Sequence, residues 1–178
     1  MVNRNFNPFP LIATERLTLR QLSLDDGQGV FALRSNAEVN KYLNREPSKK
    51  IEDAINFIYN VNSNTTNNNS VYWAICLTNT QTFIGTICLF DFSAKENSCE
   101  IGYELIPQFQ GQGLMTEAIR AVIEYAFQEL EFQKVVASVH NENHHSVRLL
   151  TKLHFSHSNQ IDIENSNLNV FTLICSHG

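Results

Sequence analysis

Positive charge is scarce in this chain, and so are the residue pairs and apolar runs that mark several familiar protein classes. Thirteen Lys and Arg face eighteen Asp and Glu, for a formal net charge of -5. Nucleic-acid binding rests on clustered Lys and Arg, so no nucleic-acid partner is expected. A mildly acidic surface instead tolerates a cationic substrate such as a protonated amine. The four cysteines, Cys76, Cys88, Cys99 and Cys175, form no Cys-x-x-Cys pair. Three of them fall in apolar, strand-like runs, where a reduced thiol behaves as a small hydrophobe. No acidic or thiolate ligand stands at a familiar spacing from His140, His144 and His145, so no metal is expected. No run approaches the ~20 apolar residues of a membrane span. Met1 to Leu11, rich in Asn and Pro, carries no apolar signal segment. These absences point to a cytoplasmic protein with no membrane partner.

What is present supports one domain over residues 1–178, with 1–11 as an N-terminal extension. With 43% hydrophobic and 10% aromatic residues the chain can bury a sizeable core. Leu17 to Leu22 alternates apolar and polar, the pattern of a half-buried strand. Ser23 to Asp26 has capping-box spacing ahead of Val30, Phe31 and Leu33 on a short helix. Pro47-Ser48 opens another, with Ile51, Ala54, Ile55 and Ile58 at helical spacing. Asn62 to Ser70 is almost wholly Asn, Ser and Thr and reads as a surface loop. Its two Asn-x-Ser/Thr sequons carry no meaning without a secretory signal. Val71 to Leu77, Thr82 to Phe90 and Ser98 to Ile106 then read as an antiparallel meander. From Met115 to Leu130 apolar residues recur at three- and four-residue steps, the stripe of a helix packed on a sheet. Lys134 to Val139 is a strand, so strand–helix–strand suggests a crossover between parallel neighbours. Val147, Leu150 and Leu153 mark a further helix, and Leu168 to Cys175 a last strand. The class is α+β, with helices on both faces of a mixed sheet.

The strand ending at Ile106-Pro107 runs into Gln108-Phe109-Gln110-Gly111-Gln112-Gly113-Leu114-Met115-Thr116, which opens the long helix. Glycines let such a backbone turn tightly, and successive N–H groups with the helix dipole make an anion-binding nest. A chain poor in cations could hold a pyrophosphate this way. The loop is too short for a Walker A motif and lacks the third glycine of a dinucleotide fingerprint. Alone, it fits a plain turn at least as well as a phosphate cradle.

Its surroundings are more specific. Glu100-Ile101-Gly102-Tyr103-Glu104-Leu105 before the loop, Thr116-Glu117-Ala118 after it, and Asn143-x-x-Ser146-x-x-Leu149-Leu150-x-Lys152-Leu153 downstream closely resemble the GNAT acetyltransferases. Within them the chain is similar to the ribosomal-protein alanine N-acetyltransferase (RimJ/RimL-like) branch, which Thr14-Glu15-Arg16-Leu17-x-Leu19-Arg20, Trp73-Ala74-Ile75 and Ile84-Gly85-Thr86-Ile87 also match. The likeness runs from about Leu11 to Ile174. Two positions depart from it: Met115 stands where Gly or Ala is frequent, and His154 replaces the Gly of Lys-Leu-Gly-Phe. A Gly there suits a helix C-cap with positive φ, so His154 implies a strained or altered helix end.

The resemblance implies a GNAT (acyl-CoA N-acyltransferase) fold: a mixed, mostly antiparallel sheet of six to seven strands flanked by helices. It implies acetyl-CoA as donor, lying in a split between the strand ending at Ile106 and the parallel strand at Lys134 to Val139, opened by a β-bulge. Leu105 and Ile106 would then face the pantetheine arm, Gln110, Gly111, Gln112, Gly113, Leu114, Met115 and Thr116 the pyrophosphate, and Asn143 and Ser146 the thiol end. Catalysis would draw on the Leu105 N–H for the oxyanion, Ser146 for the leaving thiolate, and Glu100, then Glu104, as base. The two carboxylates lie on one face of a strand, ~13 Å apart, and cannot act as a close pair. Each residue has a plainer reading. Either Glu could be an ordinary strand carboxylate paired with Arg or Lys, Ser146 a helix-packing residue, Asn143 an N-cap, and Tyr103 core. Asn40, Tyr42 and Trp73 are candidates for the acceptor side. An α-amine at pKa ~8 gives up its proton more readily than a lysine at ~10.4, which favours a peptide or protein N-terminus as acceptor. The alternatives are a small-molecule amine (polyamine, amino acid or antibiotic) and a non-catalytic acyl-CoA-binding module. Monomer and homodimer both fit, and the apolar last strand is a candidate to pair across an interface.

Overall fold

The computed structural model describes residues 4–161 and 167–176. Strands β1 (Ile12–Ala13) and β2 (Leu17–Gln21) lead into helices α1 (Gly27–Ser35), α2 (Ala37–Asn40) and α3 (Ile51–Thr66). Strands β3 (Val71–Leu77), β4 (Phe83–Ser93) and β5 (Ser98–Leu105) form the expected meander, and α4 (Leu114–Gln128) follows. The chain closes with β6 (Lys134–His140), α5 (His144–Lys152), β7 (Ser156–Ile161) and β8 (Leu168–Ile174). The sheet order is β1-β2-β3-β4-β5-β6-β8-β7. Among the described residues only β5 and β6 run parallel, the geometry expected of a strand–helix–strand unit.

Three expectations need correction. The sheet has eight strands instead of six or seven, because the two-residue β1 and the polar β7 both join it. β8 is held between β6 and β7, so the apolar last strand is not an edge open to a partner. The Asn62–Ser70 stretch is not wholly loop, since α3 continues to Thr66. There the Thr65 and Thr66 hydroxyls donate to carbonyls four residues back, and the Asn62 amide donates to the Leu22 carbonyl (2.9 Å). Tertiary contacts hold a sequence whose side chains otherwise compete with the helix.

Alternation along the strands sorts the core into two layers. Val71, Trp73 and Ile75 of β3 turn to one face, where α4 and α5 pack, while Ala74 and Cys76 turn to the other, against α1 and α3. On α4 the stripe Leu114, Met115, Ala118, Ile119, Val122 and Ala126 is buried. Each of the larger aliphatic side chains contributes about 1.5–3 kcal/mol by leaving water. Ahead of β1, Phe6 is buried, Phe9 meets the edge of Trp73, and the Arg4 guanidinium lies 3.7 Å over the Phe132 ring. After α5, His154 holds φ at +66°. The N–H groups of His154 and Phe155 donate to the carbonyls of Thr151 and Leu150, so the helix keeps a glycine-type cap with histidine in it.

Candidate active site

The site begins where two strands part. β5 and β6 pair only at Ser98↔Lys134, Cys99↔Val135 and Glu100↔Val136. Beyond Glu100, β5 stays on β4 through Gly85↔Leu105, while β6 stays on β8 through His140↔Leu168. The parting needs no bulge near the end of β5, contrary to the expectation. The β4–β5 register is unbroken from Glu100 to Leu105, and its shift lies at the other end, between Phe90 and Ser93. Because Ile106 N–H donates to Ile84 C=O (2.8 Å), the neighbouring Gly85↔Leu105 pair is the non-hydrogen-bonded kind. The Leu105 N–H therefore turns away from β4 and into the split. Gly85 lets the strands close there, for a Cβ on it would stand 2.2 Å from the Glu104 carbonyl oxygen.

Past Leu105 the chain makes a short turn at Pro107–Phe109 and enters the glycine loop. Gly111 and Gly113 have φ of +74° and +76°, which other residues adopt only with strain. Glu117 N–H donates to Gly113 C=O, leaving the amides of Leu114, Met115 and Thr116 as the open donors of the first helical turn. A Cβ on Gly111 would have no atom within 4 Å, so the ground before the loop is open. The Gln110 amide donates to Leu105 C=O (3.0 Å) and ties the loop to the strand end. Behind the loop, Arg16 donates to Gln112 C=O (3.0 Å) and to Glu117 (2.7 Å).

A cavity of about 910 Å³ fills the split. It brings together Glu100, Glu104, Leu105, Gln110, Gly111, Gly113, Leu114, Met115, Thr116, Asn143 and Ser146. Two expected residues lie off it: Gln112 lines a separate hollow of about 550 Å³ on the Arg16 side, and Ile106 lines neither. Asn143 is the N-cap of α5, its side chain accepting from Ser146 N–H (3.2 Å). Ser146 is buried, and its hydroxyl is hydrogen-bonded to that of Tyr103, which also lines the cavity. Burial pushes the Tyr103 phenol up to about 12, against the lowering effect of that hydrogen bond.

The opposite wall comes from α2 and the segment after it, where Tyr42 stacks on His140 of β6 with ring centroids 5.4 Å apart. Asn40 does not line the cavity: its amide bonds Arg34 and Asn36 carbonyls, and its Oδ1 accepts from Arg45 (2.7 Å). Arg45 in turn pairs with Glu104. Trp73 is fully buried in the core, its indole N–H on Pro10 C=O (2.7 Å), and takes no part in the acceptor wall. Arg45 escaped sequence reading because it sits in an irregular segment with no motif. Arg16 lies in the Thr14–Arg20 motif, the signal that could have found it. Among the described residues no group of three His, Cys, Asp or Glu is placed to hold a metal, and no helix is long and apolar enough to cross a membrane.

A family model described as the acetyltransferase (GNAT) domain matches residues 16–156. The chain belongs to the GNAT acetyltransferase family. It is 36% identical over 147 residues to the uncharacterized N-acetyltransferase YoaA of Bacillus subtilis (strain 168), covering 83% of each chain. Its fold matches the ribosomal-protein-S5-alanine acetyltransferase of Vibrio fischeri at a TM-score of 0.78, with 16% identity over 93% of this chain and 96% of that one. It matches the spermidine N-acetyltransferase of Vibrio cholerae, solved with CoA and spermine, at 0.77, with 22% identity over 90% and 96%. One scaffold thus serves relatives named for a protein acceptor and for a polyamine. This GNAT chain is an N-acetyltransferase, and its family uses acetyl-CoA. The open glycine loop, with its outward amides and positive φ, fits a pyrophosphate without needing a cationic side chain.

Proposed function

We propose that this acetyltransferase moves the acetyl group of acetyl-CoA to the α-amine of a peptide or protein N-terminus, by direct attack within a ternary complex. The observation that carries the reading is the Leu105 N–H, turned from β4 and paired with no strand among the described residues, at the head of a split whose cavity also meets Glu100, Ser146 and the glycine loop. Bound acetyl-CoA supplies the activated acyl group. The open amides of Leu114, Met115 and Thr116, behind Gly111 and Gly113, hold its pyrophosphate, Leu105 flanks the arm, and Asn143 sets the helix that presents Ser146. The Leu105 N–H donates to the thioester oxygen as negative charge gathers there. The amine nitrogen bonds to the carbonyl carbon as the carbon–sulfur bond breaks, and Glu100 takes the amine's proton through water. Ser146 donates a hydrogen bond to the departing sulfur. Glu100 is assigned as base because it lines the cavity and opens the Glu-x-Gly-Tyr motif. A single carboxylate working through water suits an amine that sheds its proton easily, hence an α-amine at pKa ~8.

Thermal melting with acetyl-CoA, with NAD as comparator, tests the donor. Saturation at about 100 times Kd should add ~2.7 kcal/mol. Thiol release over Ala- and Ser-initiated peptides, spermidine and an aminoglycoside then tests the acceptor. Turnover confined to the peptides supports the reading, turnover on spermidine or the aminoglycoside replaces it with a small-amine enzyme, and binding without turnover makes the chain an acyl-CoA-binding module.

A further inference from the structure

The Ser146 hydroxyl sits in a buried, hydrogen-bonded setting. Its peptide N–H is fixed by the Asn143 side chain, and only 6% of the residue is exposed. Inside a helix a serine or threonine hydroxyl can donate back to the carbonyl one turn earlier. Thr65, Thr66 and Thr151 all do so here, to Val61, Asn62 and Val147. A hydroxyl committed in that way has no proton to offer a ligand. The Ser146 hydroxyl instead meets the hydroxyl of Tyr103, a β5 residue beyond the point where β5 and β6 part. Of the two groups the phenol is the stronger acid and the better donor, and the aliphatic oxygen the better acceptor. With the phenol donating, the serine's own O–H is left to point into the cavity that both residues line.

We propose that Tyr103 is a positioning residue for acetyl transfer, whose phenol donates to Ser146 Oγ and thereby aims the serine O–H at the leaving sulfur. This rests on the reading above that Ser146 serves that sulfur. No proton leaves the phenol. Buried and pushed up to about 12, it stays protonated at working pH, while the thiol of the product needs only a pKa of ~8.5. The pair therefore stabilises charge on sulfur by two hydrogen bonds in series, and the thiolate is neutralised later from solvent.

Single-turnover rates of Tyr103→Phe, Ser146→Ala and the double variant, with acetyl-CoA and an accepted amine, test the proposal. Ser146→Ala should slow the acyl-transfer step roughly tenfold, and Tyr103→Phe about threefold to tenfold with acetyl-CoA affinity unchanged. The double variant should be no slower than Ser146→Ala, because residues acting in series are not additive. 3-Fluorotyrosine at position 103, which keeps a hydroxyl of greater acidity, should retain the full rate and also serves if the Phe variant folds poorly. A normal rate for Tyr103→Phe, or a loss that multiplies onto Ser146→Ala, overturns the positioning role. A normal rate for Ser146→Ala overturns the underlying role of Ser146, whatever Tyr103→Phe does.

Discussion

Arg16 and Glu117, 101 residues apart in sequence, clamp the back of the glycine loop to the first hairpin. The Glu117 carboxylate accepts from the Arg16 guanidinium (2.7 Å), the Arg16 peptide N–H (2.8 Å) and the Thr14 hydroxyl (2.6 Å). Burial raises its pKa, yet those hydrogen bonds outweigh it and hold the carboxyl below its ordinary 4.5. The folded pKa is depressed, so the stabilisation is present above about pH 4.5 and is lost as pH falls below it. Glu117→Ala, which removes bonds to largely exposed donors, should cost about 1 kcal/mol at neutral pH. Denaturant melts at pH 7 and pH 3.5 should show that difference shrinking in acid, while the KM for acetyl-CoA rises several-fold at neutral pH as the loop loosens.

Two glycines should separate stability from binding. A Cβ on Gly85 meets the backbone of Glu104 at 2.2 Å and of Leu105 at 3.0 Å, atoms that cannot swing aside. Gly85→Ala should cost about 3 kcal/mol and displace the Leu105 N–H, so both melting temperature and kcat fall. Gly111 has open space but a φ of +74°. Gly111→Ala should cost only about 1–2 kcal/mol, the strain of a left-handed residue. Its acetyl-CoA affinity, read by calorimetry, should nonetheless drop at least tenfold, as the methyl stands before the cradle.

Buried thiols and phenols together should shape the alkaline limb of stability, Cys88 and Cys99 among them. Burial pushes Cys88 and Cys99 up to about 12 from an ordinary 9.0, and Tyr103 up to about 12 from 10.0. The folded state holds these protons more tightly, so their stabilisation is complete below pH 9 and is lost as pH climbs toward 12. By about pH 10.5 each thiol should have given up about 2 kcal/mol. Urea melts at pH 8 and pH 10.5 should show the loss, and Cys88→Ala/Cys99→Ala should flatten the slope. An unchanged slope in that variant would contradict the assignment to the thiols.

Where local pattern and tertiary demand agree, the chain could be read in advance. The α4 stripe and the meander had that property, as did Asn143 capping the helix of Ser146. Ser156–Ile161 did not, because an edge strand such as β7 needs only backbone pairing with β8 and no apolar side chains to announce it. The end of α3 was hidden for the opposite reason, its Asn and Thr being poor helix formers held by a bond to Leu22 and by burial of Thr65. At the site, the loop glycines and Ser146 carried motifs. The Tyr103–Ser146 bond and the Arg45–Glu104 pair join residues from different elements, and no spacing encodes them.

That last pair gives a way to test which carboxylate serves as base. Glu104 and Arg45 are largely buried and meet through Oε1 and Nη1, while Glu104 Oε2 and Arg45 Nη2 have no hydrogen-bond partner among the described residues. Arg45→Met leaves a buried carboxylate uncompensated and should cost about 3–5 kcal/mol, whereas Arg45→Met/Glu104→Gln removes both charges and should recover most of it. The double variant then isolates chemistry from folding. If Glu104 ties the acceptor wall to β5 and Glu100 takes the proton, the double variant keeps kcat within a few-fold of wild type. Glu100→Gln should meanwhile lower kcat by about a hundredfold, the contribution of a positioned base. A stable but inactive double variant, beside an active Glu100→Gln, would transfer the base to Glu104 and make Arg45 its holder.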